Sequence, residues 1–69
     1  MTELIFLVEE GPDGGFVASA VGVGIYTQAE TREELVGMVR DAVRCHYDGA
    51  DDAPRLIRLH YVRDEVVAL

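Results

Sequence analysis

Little in this sequence could cross-link the chain, hold a metal or anchor it in a membrane. Cys45 is the single cysteine, so no disulfide can close within the chain. With His46 and His60 it makes no zinc-ligand spacing. No apolar run approaches the roughly 18–20 residues that a membrane-spanning helix needs. No basic stretch precedes an apolar one at the start, as a signal peptide would require. Basic residues are few: six against thirteen acidic, for a formal net charge of −7. Such a surface repels phosphate backbones, which argues against direct nucleic-acid binding and suits a basic partner. A lone free thiol fits a reducing compartment, so the expected location is cytoplasmic.

What is present is a small foldable domain. Sixty-nine residues, 49% hydrophobic and 28% charged, make one domain spanning 1–69 rather than a disordered chain. A core of this size leaves little stability in hand, and without disulfide or metal the expected supplement is association.

Residues 3–9, ELIFLVE, place Leu4, Phe6 and Val8 on one side of a strand and Ile5 and Leu7 on the other. Apolar residues on both faces predict a central strand. EGPDGG at 10–15 supplies the restricted and positive φ values of a tight hairpin. FVASAVG at 16–22 is a second strand, Gly22 and Gly24 mark a bend, and IYTQ at 25–28 is a short third strand. From Thr31 the period changes. Leu35, Met38, Val39, Ala42, Val43 and His46 recur at helical spacing, and the helix ends near Gly49 with Pro54 beyond. Residues 55–63 alternate as a half-buried fourth strand. The tail DEVVAL, 64–69, either extends that strand or docks on a neighbour. The expected fold is α+β in the order β-β-β-α-β, an antiparallel meander with one helix on one face of the sheet.

The stretch YTQAETREELV, 26–36, gathers polar residues between apolar ones and raises the question of a site. Its spacing answers in favour of a helix start. Thr31-Arg32-Glu33-Glu34 fits the capping box, and Glu30 and Glu33 put negative charge at the helix N-terminus. Glu9, Glu10 and Asp13 could pair for acid–base or metal chemistry, but a hairpin, where Asp forms the turn and Glu is solvated, accounts for them better. Cys45 and His46 are neighbours on a helix, about 100° apart, and so diverge. Cys45 is expected to be a small buried or semi-buried residue, and His60 a surface imidazole. GVG at 22–24 lacks the third glycine of a dinucleotide fingerprint. No catalytic, metal or cofactor residue is assigned, and no cofactor is implied.

Residues 6–43, FLVEEGPDGGFVASAVGVGIYTQAETREELVGMVRDAV, resemble the HicB-like antitoxin family, short bacterial and archaeal domains of the UPF0150 type. The match lies in Gly15-Phe16-Val17-Ala18, which fits the family's G-[YF]-x-A turn, and in residues 24–35, which fit its strand–helix junction. Two positions depart from the pattern. Val23 stands where the family has proline and Ala29 where it has glycine, so the joint must form without positive φ there, or under strain. The resemblance implies a partial ribonuclease H-like fold without nuclease activity, with Gly15, Phe16, Gly24, Thr31 and Glu34 as structural residues. It also implies a homo-oligomer, dimer or higher, and a small basic partner, an mRNA interferase of the HicA type. Nothing here matches the DNA-binding segment that longer relatives carry at the C-terminus. Individual partner-contact residues are not assigned beyond the acidic surface. Two rival readings are a stand-alone oligomeric accessory protein and a metal-dependent ribonuclease H-like nuclease using Glu9, Asp13 or Glu30.

Overall fold

A computed structural model describes residues 2–69. Its elements are β1 (Glu3–Glu10), β2 (Phe16–Ala20), β3 (Tyr26–Ala29), α1 (Arg32–Tyr47) and β4 (Leu56–Val62), the expected α+β order. The four strands form one mixed sheet in the order β3-β2-β1-β4. β1 pairs antiparallel with β2, β2 antiparallel with β3, and β4 lies parallel to β1. β1 is therefore central, as its two apolar faces suggested. The start of β4 is tied beside the start of β1 by two N–H groups, from Arg55 and Leu56, donating to the Thr2 carbonyl.

Period-2 alternation sends Leu4, Phe6 and Val8 of β1 to the face that carries the helix. They meet Ala18 of β2, Ile25 of the β2–β3 loop, and Leu35, Val39 and Val43 of α1. These eight side chains are the buried core, with Phe6 and Leu35 fully enclosed. Their helical members recur every four residues, a narrower stripe than the periodicity predicted. Met38 and His46, expected on the same face, are exposed. α1 packs chiefly over β3 and β2, and of the stripe's neighbours Ala42 and Tyr47 pack partly against the core while Met38 and His46 do not.

The hairpin closes through the Gly11 N–H donating to the Gly15 carbonyl and the Gly14 N–H to the Gly11 carbonyl, with Gly14 at φ 89°. β2 stops at Ala20, two residues earlier than expected, because Gly22 turns the chain at φ 83°. Gly24 has an ordinary φ and open space around it, so the bend belongs to Gly22. The tail also differs from the first of its two readings. β4 ends at Val62, opposite Glu9, one residue before the end of β1. Residues 64–69 continue without pairing and are exposed throughout.

On the face away from the helix, the guanidinium of Arg58 donates to the carboxylate of Glu3. This hydrogen bond, reinforced by the opposite charge, holds the Glu3 carboxyl below its ordinary range and raises Arg58. A carboxyl lowered by folding contributes stability above its unfolded pKa and loses it as pH falls through the folded value. Both groups reach solvent, so the contribution is small. Glu3→Gln should lower the urea midpoint slightly at neutral pH, and the difference from wild type should vanish in acid. A difference that persists unchanged at low pH would show that the pair is not its source.

Candidate functional site

The polar residues that drew notice in 26–36 do come together with the hairpin turn. An open cleft of about 920 Å³ lies between them, walled by Gly11 to Gly15 on one side and by Gln28, Glu30, Thr31 and Glu34 on the other. Thr31 is the helix N-cap, in extended conformation, and its hydroxyl accepts from the Glu34 N–H at 3.1 Å. Its carbonyl accepts the first helical bond, from the Leu35 N–H. Only this half of the capping box forms; among the described residues Glu34 makes no return bond. The joint carries no strain at Ala29. That residue closes β3 as ordinary strand, and the only non-glycine at positive φ among the described residues is Asp48, the helix C-cap.

Gly15 matters through space rather than through φ. A Cβ there would sit 2.9 Å from the Ala29 carbonyl oxygen, so the first residue before β2 runs hard against the last of β3. Phe16 then turns toward the helix side, where its ring meets Tyr61 edge-on at 6.0 Å. The Arg32 guanidinium lies 4.7 Å from the centre of the Tyr61 ring. A residue of β2, one of β4 and the first turn of α1 are thus tied across β1 by an aromatic and cation–π contact.

The carboxylates considered for metal chemistry do not converge. Glu9 points to the face away from the helix, Asp13 sits in the hairpin turn, and Glu30 lies on the far wall of the cleft. Among the described residues no three of histidine, cysteine, aspartate and glutamate are placed to share an ion. Cys45 is exposed, which corrects the expectation of a buried thiol. The Leu35–Val39–Val43 stripe fixes the helix rotation and leaves position 45 outward. His60 pairs with Leu7 on the opposite face of the sheet from α1, so it cannot reach Cys45.

The feature that sequence reasoning missed is the open face of the sheet. Registers place Arg58 beside Ile5, then His60, Leu7, Ser19 and Tyr26 in one row, and Val62, Glu9, Val17 and Gln28 in the next. No element covers these rows. Ile5 and Leu7 are 41% and 39% exposed at the centre of the central strand, with Tyr26 and Leu56 exposed on either side. The rows lead toward the hairpin end of the sheet, which carries Glu9, Glu10, Asp13 and Glu30 spread over its surfaces, with Arg63 beside Glu9 and Glu10. The signal was present in the Ile5/Leu7 alternation, which is what two covered faces would also produce.

Geometry and composition thus define a small acidic α+β domain with one uncovered apolar sheet face. A UPF0150 protein of Thermotoga maritima is 37% identical over 67 residues, covering 97% of this chain and 93% of the relative. A UPF0150 protein of Archaeoglobus fulgidus is 56% identical over 45 residues, 65% of this chain and 67% of the relative. The chain belongs to the UPF0150 family, a name that assigns no activity. No family model matches it, and no solved structure does. No helix among the described residues is long and apolar enough to cross a membrane.

Two substitutions probe the joint. Thr31→Ala should cost about 1 kcal/mol in thermal or urea unfolding by removing the cap; an unchanged midpoint would count against it. Gly15→Ala forces a Cβ against backbone and should cost about 1–3 kcal/mol, whereas the same change at Gly24 should be far milder.

Proposed function

We propose that the chain is a non-catalytic binding module of the HicB-like antitoxin type, self-associating, which neutralises a small basic mRNA interferase by covering its site. The observation that carries this reading is the uncovered apolar centre of the sheet, Ile5 and Leu7, leading into an acidic pole. Exposed apolar surface at the middle of a central strand is what a partner's apolar residues would bury. Glu9, Glu10, Asp13 and Glu30 would meet its basic residues and speed encounter. The net charge of −7 supports the same sign of partner. The resemblance of the junction at 24–35 to HicB-like domains supplies the class of partner.

A stand-alone oligomeric accessory protein is the second reading, favoured by the exposed apolar tail at 66–69. The two separate on one experiment. Co-expression with a small basic mRNA interferase of the HicA type should suppress that protein's RNA cleavage and yield a stable complex whose association slows with salt. Leu7→Asp should weaken the complex at least about tenfold, the loss of one buried leucine, without unfolding the chain. Full neutralisation by Leu7→Asp would sink the assigned face. A chain that purifies alone and spares the cleavage would favour the accessory reading. Magnesium-dependent RNA cleavage by the chain itself, lost in Glu9→Gln, would replace both.

A further inference from the structure

On the helix side of the sheet α1 leaves β4 largely uncovered, and a groove of about 580 Å³ runs between them. Its floor is Ile57 and Leu59 of β4 with Val39 and Val43 of α1, and Val36 and Leu56 rim it. Three of the chain's six basic residues, Arg40, Arg44 and Arg55, also line it. None of the three pairs with a carboxylate among the described residues. Arg40 and Arg44 stand at i and i+4 on the helix, where like charges repel. An apolar slot edged by three unpaired guanidinium groups calls for an occupant that is apolar and acidic together.

The chain carries such a segment. Residues 64–69 read Asp-Glu-Val-Val-Ala-Leu, two acids followed by apolar residues. Val66 is 97% exposed and Val67 72%. The segment projects: the molecule extends 52 Å in its longest direction against 20 and 17 Å in the others. Its radius of gyration is 13.4 Å, where a compact chain of this length has about 11 Å. The tail cannot easily reach its own groove. It leaves from the end of β4 at Val62, whereas the groove lies along the start of β4 from Pro54 to Leu59. Folding back would need a tight reversal within residues 63–69, where Asp64 alone favours a turn and neither glycine nor proline is present.

We propose that residues 64–69 of each copy dock in the α1–β4 groove of a second copy, with Val66, Val67 and Leu69 on the apolar floor and Asp64 and Glu65 against Arg40, Arg44 and Arg55. The exchange is reciprocal and closes a two-fold dimer that buries both tails. It rests on the self-association named above and specifies the surface through which it occurs. The groove and the sheet face proposed for the basic partner lie on opposite sides, so one dimer leaves both partner faces free.

Sedimentation equilibrium of the full chain over a wide dilution series tests this. Wild type should give twice the chain mass of 7.6 kDa. Val66→Asp with Val67→Asp, both at exposed positions and so harmless to the fold, should raise the dimer Kd at least about a hundredfold, because two valines are lost from each of two tails. Arg40→Glu with Arg44→Glu should do the same. An equimolar mixture of that variant with Asp64→Arg/Glu65→Arg should recover dimer, since each groove then meets a tail of opposite charge and only the mixed pair does. A wild-type monomer would overturn self-association and this docking together. A dimer indifferent to the tail substitutions would overturn the docking alone and point to a strand edge or the open face instead. Circular dichroism of each variant separates dissociation from unfolding.

Discussion

One helix lies over four strands, and that mismatch governs the rest of the molecule. An α-helix with its side chains is about 10–12 Å across, while neighbouring strands stand about 4.8 Å apart. A single helix therefore shelters little more than two strands of one face. Here α1 settles over β3 and β2, with Leu35, Val39 and Val43 reaching Phe6 and Val8 of β1. What it cannot reach becomes surface: the helix-side flank of β4 and the whole opposite face. Both carry apolar residues that no element of the same chain covers. The surfaces proposed for binding are the parts of its sheet that one helix is too narrow to hide.

The two surfaces differ in charge as well as in position. The open face leads to the hairpin pole, where Glu9, Glu10, Asp13 and Glu30 lie and Arg32 is occupied by the Tyr61 ring. The groove beside β4 is edged instead by arginines. On the proposed reading, an acidic chain that concentrates half of its positive charge around one slot separates two kinds of partner by sign, a basic protein on one side and the chain's own acidic tail on the other. Discrimination of this sort comes from repulsion at the wrong face as much as from attraction at the right one.

Much of this was legible in the residues themselves. The alternation in ELIFLVE placed β1 at the centre, the glycines and Pro12 placed the hairpin, and Thr31 with Glu34 N–H marked the helix start. Local signals of this kind act over a few residues and survive whatever the rest of the chain does. Most of the misses depend on where α1 lies. Met38 and His46 were placed by helical period alone, which gives a face but not its width, and Cys45 by residue type. Arg40 and Arg44 edge β4, a strand distant in sequence, and no local pattern could place them beside it. Ile5 and Leu7 announced a two-faced strand, and no local pattern says whether the second face is covered by the same chain. The demand for glycine at residue 15 arises from the Ala29 carbonyl, which only the folded sheet brings near.

The parallel pairing of β4 with β1 has a kinetic side. β1, β2 and β3 find one another through short turns, and α1 follows at once. β4 reaches its place only after the chain has closed a long loop; Glu3 and Arg58 are 55 residues apart. Loop closure of that length is slow to form, and the strand it seats has little of the core to hold it, since none of its residues is fully buried. β4 thus joins through the longest closure in the fold, and its seven residue pairs with β1, rather than burial in the core, hold it there. An occupant of the groove proposed beside β4 would therefore add the burial that this strand does not get from its own chain.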